Sequence, residues 1–133
     1  MYGSLDISTS GMIAQRTRMS VIASNIANVN SIENAKGEYE PYLRRAVMFA
    51  PAGSGNEPQG VRVSDIQIEQ GALRQAHRPG HPHADADGNI MIPDIDTTSE
   101  WVNGLEASRA YEANVVAAES TKSMLAQALR LLA

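Results

Sequence analysis

The chain has no cysteine, which removes a disulfide framework, a thiol nucleophile and a thiolate metal site together. Such a chain is equally at home in reducing and oxidising compartments. Positive charge is not in excess: the formal net charge is −4, which argues against a nucleic-acid partner, because phosphate binding needs a basic patch. No stretch approaches the roughly 18 apolar residues that span a bilayer. The opening Met1-Tyr2-Gly3-Ser4-Leu5-Asp6 has neither the basic region nor the apolar run of a Sec-type signal. By default, these absences lead to the expectation of a soluble, cytoplasmic protein that is not membrane-inserted. Aromatic content is only 5 % beside an ordinary 43 % of hydrophobic residues, and 133 residues suffice for one domain with a modest core.

Proline is missing from both ends. All six prolines (41, 51, 58, 79, 82, 93) and seven of the ten glycines fall in the middle of the chain, which punctuates that region with turns. The expected organisation is two helical ends, residues 1–33 and 97–133, around a β-rich, Pro/Gly-rich middle, residues 34–96. Together they form one structural unit of mainly α class.

At the N-terminal end Leu5, Met12, Met19 and Ile26 sit one heptad apart, with Ser8, Gln15, Ile22 and Val29 as the alternate set. This pattern predicts a helix from about 4 to 30 with a narrow apolar stripe that broadens towards its C-terminus. Gly3 and Gly11 weaken it by about 1 kcal/mol each relative to alanine, or permit close approach of another backbone. At the other end Thr97-Thr98-Ser99-Glu100 reads as a capping box, with Thr97 accepting from the Glu100 amide and Glu100 reaching back. The stripe that follows is Ser108, Tyr111, Val115, Ala118, Lys122, Leu125, Leu129 and Leu132, joined upstream by Trp101 and Leu105 after a stammer-like slip. A helix over 98–132 is roughly 52 Å long at about 1.5 Å per residue. A compact ball of this chain length is only about 36 Å across. The first helix is too short to cover the second, so part of the apolar stripe stays exposed or finds a partner on another molecule. The pattern points to assembly.

In the middle region Leu43–Phe49 is a predicted strand. Val61/Val63 and Ile66/Ile68 alternate out of phase, which a bulge near Ser64-Asp65 reconciles. Pro51–Gly60 is a flexible loop by composition. A turn at Asp87-Gly88-Asn89 leads into a strand over Ile90–Ile92, ended by Pro93.

One loop offers metal ligands: His77, His81 and His83, followed by Asp85 and Asp87. A small metal-binding hydrolase built on it is one alternative reading. No rigid platform adjoins these residues, and an exposed polar loop is the plainer interpretation. The Asp85–Asn89 run lacks calcium-loop spacing, since Gly88 comes too early and Asp96 stands where a glutamate is needed. A turn closed by Asp-Gly-Asn explains it. No Gly-x-Ser-x-Gly or phosphate-cradling glycine motif occurs, so no residue set supports an enzyme and no cofactor is expected. A cytoplasmic coiled-coil adaptor of fixed stoichiometry is the other alternative.

Ser10–Ser31, SGMIAQRTRMSVIASNIANVNS, resembles the N-terminal signature of the flagellar basal-body rod and hook proteins, whose helix ends in Ser-x-Asn-Ile-Ala-Asn-x-Asn. Asn25, Ile26, Ala27, Asn28 and Asn30 match it, with Ser31 where threonine is frequent. GLEASRAYEANVVAAESTKSMLAQALRL, ending at Leu131, is similar to the other end of the same family. GEYEPYLRRAVMF, HPHADADGNIMIPDID and the short length resemble the proximal-rod subgroup, since distal-rod and hook relatives carry a large inserted domain. His77 and His83 depart from the family pattern and receive no family role.

The resemblance implies a structural subunit without catalysis. Such subunits stack helically into a shaft that carries torque across the periplasm, and the two terminal helices pair as a coiled coil on its inside. Implied partners are copies of the chain, other proximal- and distal-rod subunits, and rotor-base and export-apparatus components. Implied export is through the flagellar type III apparatus without a cleaved signal, which replaces the cytoplasmic default. The expected assembly residues are Leu5, Met12, Met19, Ile22, Asn25, Ile26, Asn28, Val29, Tyr111, Val115, Ala118, Leu125, Leu129 and Leu132. Asn25 and Asn28, beside the stripe, are expected to set the register of a buried intersubunit seam, with Asn30 as the C-terminal cap. The competing reading makes all three exposed termination signals.

Overall fold

The computed structural model describes residues 2–53 and 59–133. The elements run α1 (Tyr2–Ala27), β1 (Arg45–Pro51), β2 (Val61–Ile68), β3 (Leu73–His77), β4 (Asn89–Pro93) and α2 (Thr97–Leu132). β1 and β2 form one antiparallel hairpin, β3 and β4 a second. The two long helices pack against each other, and the first hairpin lies on α1. Successive contacts set the helix direction. Asn25 meets Glu100, Ile22 lies under Gly104, Arg18 pairs with Glu106, and Gly11 faces Asn114. Numbers fall on one helix as they rise on the other, so the pair is antiparallel.

The 36 residues of α2 outrun the 26 of α1. Continued at that register, α1 begins opposite about residue 123, and among the described residues roughly the last nine of α2, some 14 Å, run past it without a helical partner. The buried apolar set is small: Ala14, Val21, Ile22, Ile90, Ile92, Ile95 and Ala107. The chain exposes 9072 Å², whereas a compact monomer of this mass exposes about 6,800 Å². The excess is the size of a protein interface.

Several expectations are corrected at the element ends. α1 stops at Ala27 rather than near residue 30, so Val29 and Asn30 lie beyond it. Among the described residues no non-glycine has positive φ, so Asn30 is not a left-handed cap. Asn28 closes the helix instead: its amide and its Nδ2 both donate to the Ser24 carbonyl, at 3.1 and 2.8 Å. α2 is capped by Asp96, not Thr97. The Asp96 carboxylate accepts from the Thr98 amide at 3.0 Å and the Ser99 hydroxyl at 2.7 Å. Aspartate outranks threonine at this position, and Glu100 is thereby free of any capping duty.

In the first hairpin Met48 faces Asp65 and Phe49 faces Val63, leaving Ser64 as the expected bulge. Its hydroxyl donates to the Met48 carbonyl at 3.1 Å. The strand begins at Arg45 rather than Leu43. Of the loop expected at Pro51–Gly60, residues 54–58 lie outside the described residues, while Ala52 pairs with both Gln59 and Gly60 and extends the ladder. β3 has no counterpart among the expected elements, because LRQAH offers only two apolar residues, Leu73 and Ala76, which do not alternate. β4 and its turn are as expected: Asp85 Oδ1 accepts from the Asp87 and Asn89 amides at 3.0 and 2.8 Å, and Gly88 takes φ 77°.

Candidate subunit interface

Asn25 is fully buried, with 0 % exposure, at the point where α1, β1 and α2 converge. Its Nδ2 donates to the Arg45 carbonyl at 2.9 Å and to Glu100 Oε2 at 3.1 Å. Its Oδ1 accepts from the Arg45 amide and from the Tyr42 hydroxyl, each at 3.0 Å. A carboxamide has two donors and two acceptor sites, so Asn25 is saturated inside the subunit. This corrects the expectation of a register-setting asparagine at an intersubunit seam: Asn25 has no polar atom left for a neighbour. Asn28 is likewise engaged locally, accepting from the Ser31 hydroxyl at 3.0 Å.

Glu100, 1 % exposed, anchors the other side of this cluster. Arg44 grips Glu100 Oε1 through Nη2 at 2.6 Å and Nε at 2.7 Å, and reaches the more exposed Glu69 through Nη1 at 2.6 Å. Burial alone would lower the Arg44 pKa, but the hydrogen bond and charge of Glu100, with Glu69 behind it, raise it. The Tyr42 pKa is also raised, chiefly by burial and further by Glu100, against the opposing charge of Arg45. The cluster ties the end of α1, the start of α2 and the start of the first hairpin into one unit. A buried ion pair of this kind is better evidence for a specified geometry than for net stability.

The seam between the helices mixes small and polar residues with a few large ones. On α1 the buried positions are Ser8, Gly11, Ala14, Val21, Ile22 and Asn25. On α2 an unbroken row of buried and half-buried positions runs Glu100, Gly104, Ala107, Tyr111, Asn114, Ala118, Thr121, Leu125, Ala128. Its steps alternate four and three with no slip, so no stammer is needed. The closest approach is at Gly11, where an added Cβ falls 2.7 Å from Asn114 Oδ1.

The Leu5–Ile26 row of α1 and the Trp101–Leu105 start of the α2 row lie one residue round their helices from this seam. Leu5, Met12, Met19 and Ile26 are half-buried on its flank, and Trp101 and Leu105 are 63 % and 60 % exposed. The C-terminal half of the first row and the start of the second border one groove of about 430 Å³ between the helices, lined by Met19, Ile22, Ile26, Trp101, Gly104 and Leu105 among others. Tyr111, Ala118 and Leu125 do belong to the packed row; Val115 is half-buried on α2, and Val29 is half-buried just past the end of α1. Leu129 and Leu132, 60 % and 85 % exposed, stand on the overhang of α2 with Met124 and Leu131. Glu100, Tyr42 and Arg44 were missed as site residues. The one signal in the sequence is that Arg44 and Arg45 break the alternation of a predicted strand.

The three histidines serve the loop. His83 Nε2 meets Glu33 Oε1 at 3.1 Å and its ring stacks on Tyr39 with centroids 5.3 Å apart. His81 Nδ1 accepts from the His83 amide at 3.1 Å, and His77 Nδ1 contacts Asn89 Oδ1 at 3.2 Å. Among the described residues, no three His, Cys, Asp or Glu side chains come together so as to hold a metal, and no helix is long and apolar enough to cross a membrane.

The family described as "Flagella basal body rod protein" matches residues 5–36, the segment that holds the convergence at Asn25. Over nearly the whole chain the sequence is similar to proteins named flagellar basal-body rod protein FlgC. That of Yersinia enterocolitica is 41 % identical over 127 residues, covering 95 % of this chain and 93 % of the relative. That of Bacillus subtilis is 35 % identical over 145 residues, covering 98 % and 97 %. That of Borreliella burgdorferi is 34 % identical over 152 residues, covering 99 % and 97 %.

Proposed function

The chain belongs to the FlgC family of flagellar basal-body rod proteins and is a structural subunit of the bacterial flagellar rod; from that premise we propose that it polymerises helically into the proximal rod and transmits torque across the periplasm. The observation that carries this reading is the offset between seam and stripe. A seam rich in small and polar residues holds the two helices together, so much of the apolar rows of Leu5–Ile26 and of Trp101 with Leu105 is left over for neighbours. Exposed apolar surface on this scale marks an interaction site, and the leftover surfaces on one subunit are unlike one another. Unlike surfaces join head to tail, and such contacts build an open helical array wherever the rotation between neighbours does not close into a ring.

In the assembled rod the two helices act as a coiled coil with the β hairpins outside, against copies of the chain, other proximal- and distal-rod subunits, and the rotor-base and export-apparatus components. The chain reaches that place through the flagellar type III apparatus without a cleaved signal peptide. Of the expected assembly residues, Leu5, Met12, Met19, Ile26, Leu129 and Leu132 retain surface for intersubunit contact, whereas Asn25 and Ile22 support it from within. The role is non-catalytic. Mass spectrometry of detergent-isolated hook–basal bodies tests the reading: several copies per particle are expected. Recovery only in the cytosolic fraction of motile cells refutes it.

A further inference from the structure

The groove at Trp101 and the overhang of α2 are two apolar features that nothing covers among the described residues. They cannot satisfy each other within one chain. Leu105 and Leu129 lie on one continuous helix, about 36 Å apart at 1.5 Å per residue. Their dimensions nonetheless agree. The groove follows α1 from Met19 to Ala27, about 12 Å, and the overhang from Met124 to Leu132 is about as long. Small residues at Ala23 and Gly104 leave room along the groove, and an added Cβ at Gly104 meets only the Ile22 Cγ2, at 3.6 Å. The overhang presents Leu129 and Leu132, 60 % and 85 % exposed and three residues apart on one face, a step of the spacing by which an amphipathic helix anchors in an apolar groove. Arg130 is the only charged side chain between Met124 and Ala133, so entering the groove leaves one charge to place at its rim.

We propose that the groove between Met19, Ile26, Trp101 and Leu105 receives the leucine-faced C-terminal helix end of an adjoining rod subunit, of the chemistry that residues 124–132 of this chain present. The inference rests on the rod-subunit reading and deepens it by naming which ends meet. Because socket and plug sit at opposite ends of one helix, each subunit can fill one neighbour and be filled by another, which gives the array its polarity.

The test is site-specific photo-crosslinking in assembled basal bodies, with p-benzoylphenylalanine in place of Leu105 and, in a second strain, of Trp101. Both side chains are mostly exposed, so the subunit fold tolerates the exchange. The expected result is a covalent conjugate whose second half maps by peptide sequencing to the last turns of a C-terminal rod-subunit helix. Conjugates mapping to an N-terminal helix or a β region, or no conjugate at either position in particles that contain the variant, overturn the proposal. Absence of the chain from the particles altogether is a separate result and tells against the rod-subunit reading itself.

Discussion

Replacing Asn25 by alanine is the sharpest probe of the convergence point. The substitution removes four hydrogen bonds at once: to the Arg45 carbonyl, the Arg45 amide, the Tyr42 hydroxyl and Glu100 Oε2. Bonds to neutral groups contribute about 1 kcal/mol each and one to a charged group about 2 kcal/mol. Tyr42 and Arg45 are partly reachable by water and recover some of this, whereas Glu100, 1 % exposed, does not. A net loss of about 4 kcal/mol follows, a large fraction of the ~5–15 kcal/mol that stabilises a domain. For a chain of this length it lowers Tm by roughly 15 °C. Urea unfolding followed by circular dichroism measures it directly. Asn25→Asp, nearly the same shape, keeps the acceptor bonds but loses both donors and sets a second carboxylate against Glu100, so it is expected to be at least as damaging. Asn28→Ala, a helix-end change in a part-exposed place, is expected to cost about 1 kcal/mol. If Asn25→Ala costs no more than Asn28→Ala, the saturated carboxamide is not what holds the three elements together, and the reasoning fails.

Gly11→Ala alone is expected to be near neutral in urea unfolding, because a helix-propensity gain of about 1 kcal/mol is offset by displacement of the Asn114 carboxamide, 2.7 Å from the new Cβ. In an Asn114→Ala background the same change is expected to stabilise by about 1 kcal/mol, and equal effects in both backgrounds refute the contact. Asp96 has its pKa held below the usual 3.8 by the Ser99 hydroxyl and the Thr98 amide. A depressed carboxylate contributes stability above its unfolded pKa and loses it as pH falls through the folded one, so the start of α2 is expected to fray in acid below about pH 4. Amide exchange at Thr98–Glu100 measures this, and Asp96→Asn is expected to abolish the pH dependence. The raised Tyr42 pKa has the opposite sense: its contribution is present below the unfolded value near 10 and lost as pH rises through the folded one. Tyr42→Phe is therefore expected to unfold with a flatter alkaline limb, and an unchanged limb refutes the assignment.

Much of this molecule was legible from the order of its residues. Proline-free ends with a heptad pattern could only be helices, the out-of-phase valines and isoleucines demanded a bulge at Ser64, and Asp85 to Asn89 carried its own turn chemistry. These features depend on neighbours a few positions away, which the sequence states outright. The family signature was also legible, because Asn25-Ile26-Ala27-Asn28 is a local string. What only the tertiary structure decided was rotation. Periodicity identifies an apolar row on a helix, but it is silent on which row turns towards the partner helix of the same chain. Here the seam runs one residue away from the Leu5–Ile26 row and from Trp101 and Leu105, a turn of about 100°, because small residues at Gly11, Ala14, Gly104 and Ala107 allow close packing and Asn25 and Glu100 bring their partners with them. Those partners stand at Tyr42, Arg44 and Arg45, between 17 and 56 positions distant from the residues they bind. Glu100 looked like a cap from its local string and became the buried anchor once Asp96 took the capping bonds. Local patterns thus determined which surfaces are apolar, and long-range packing determined which of them remain free for another subunit.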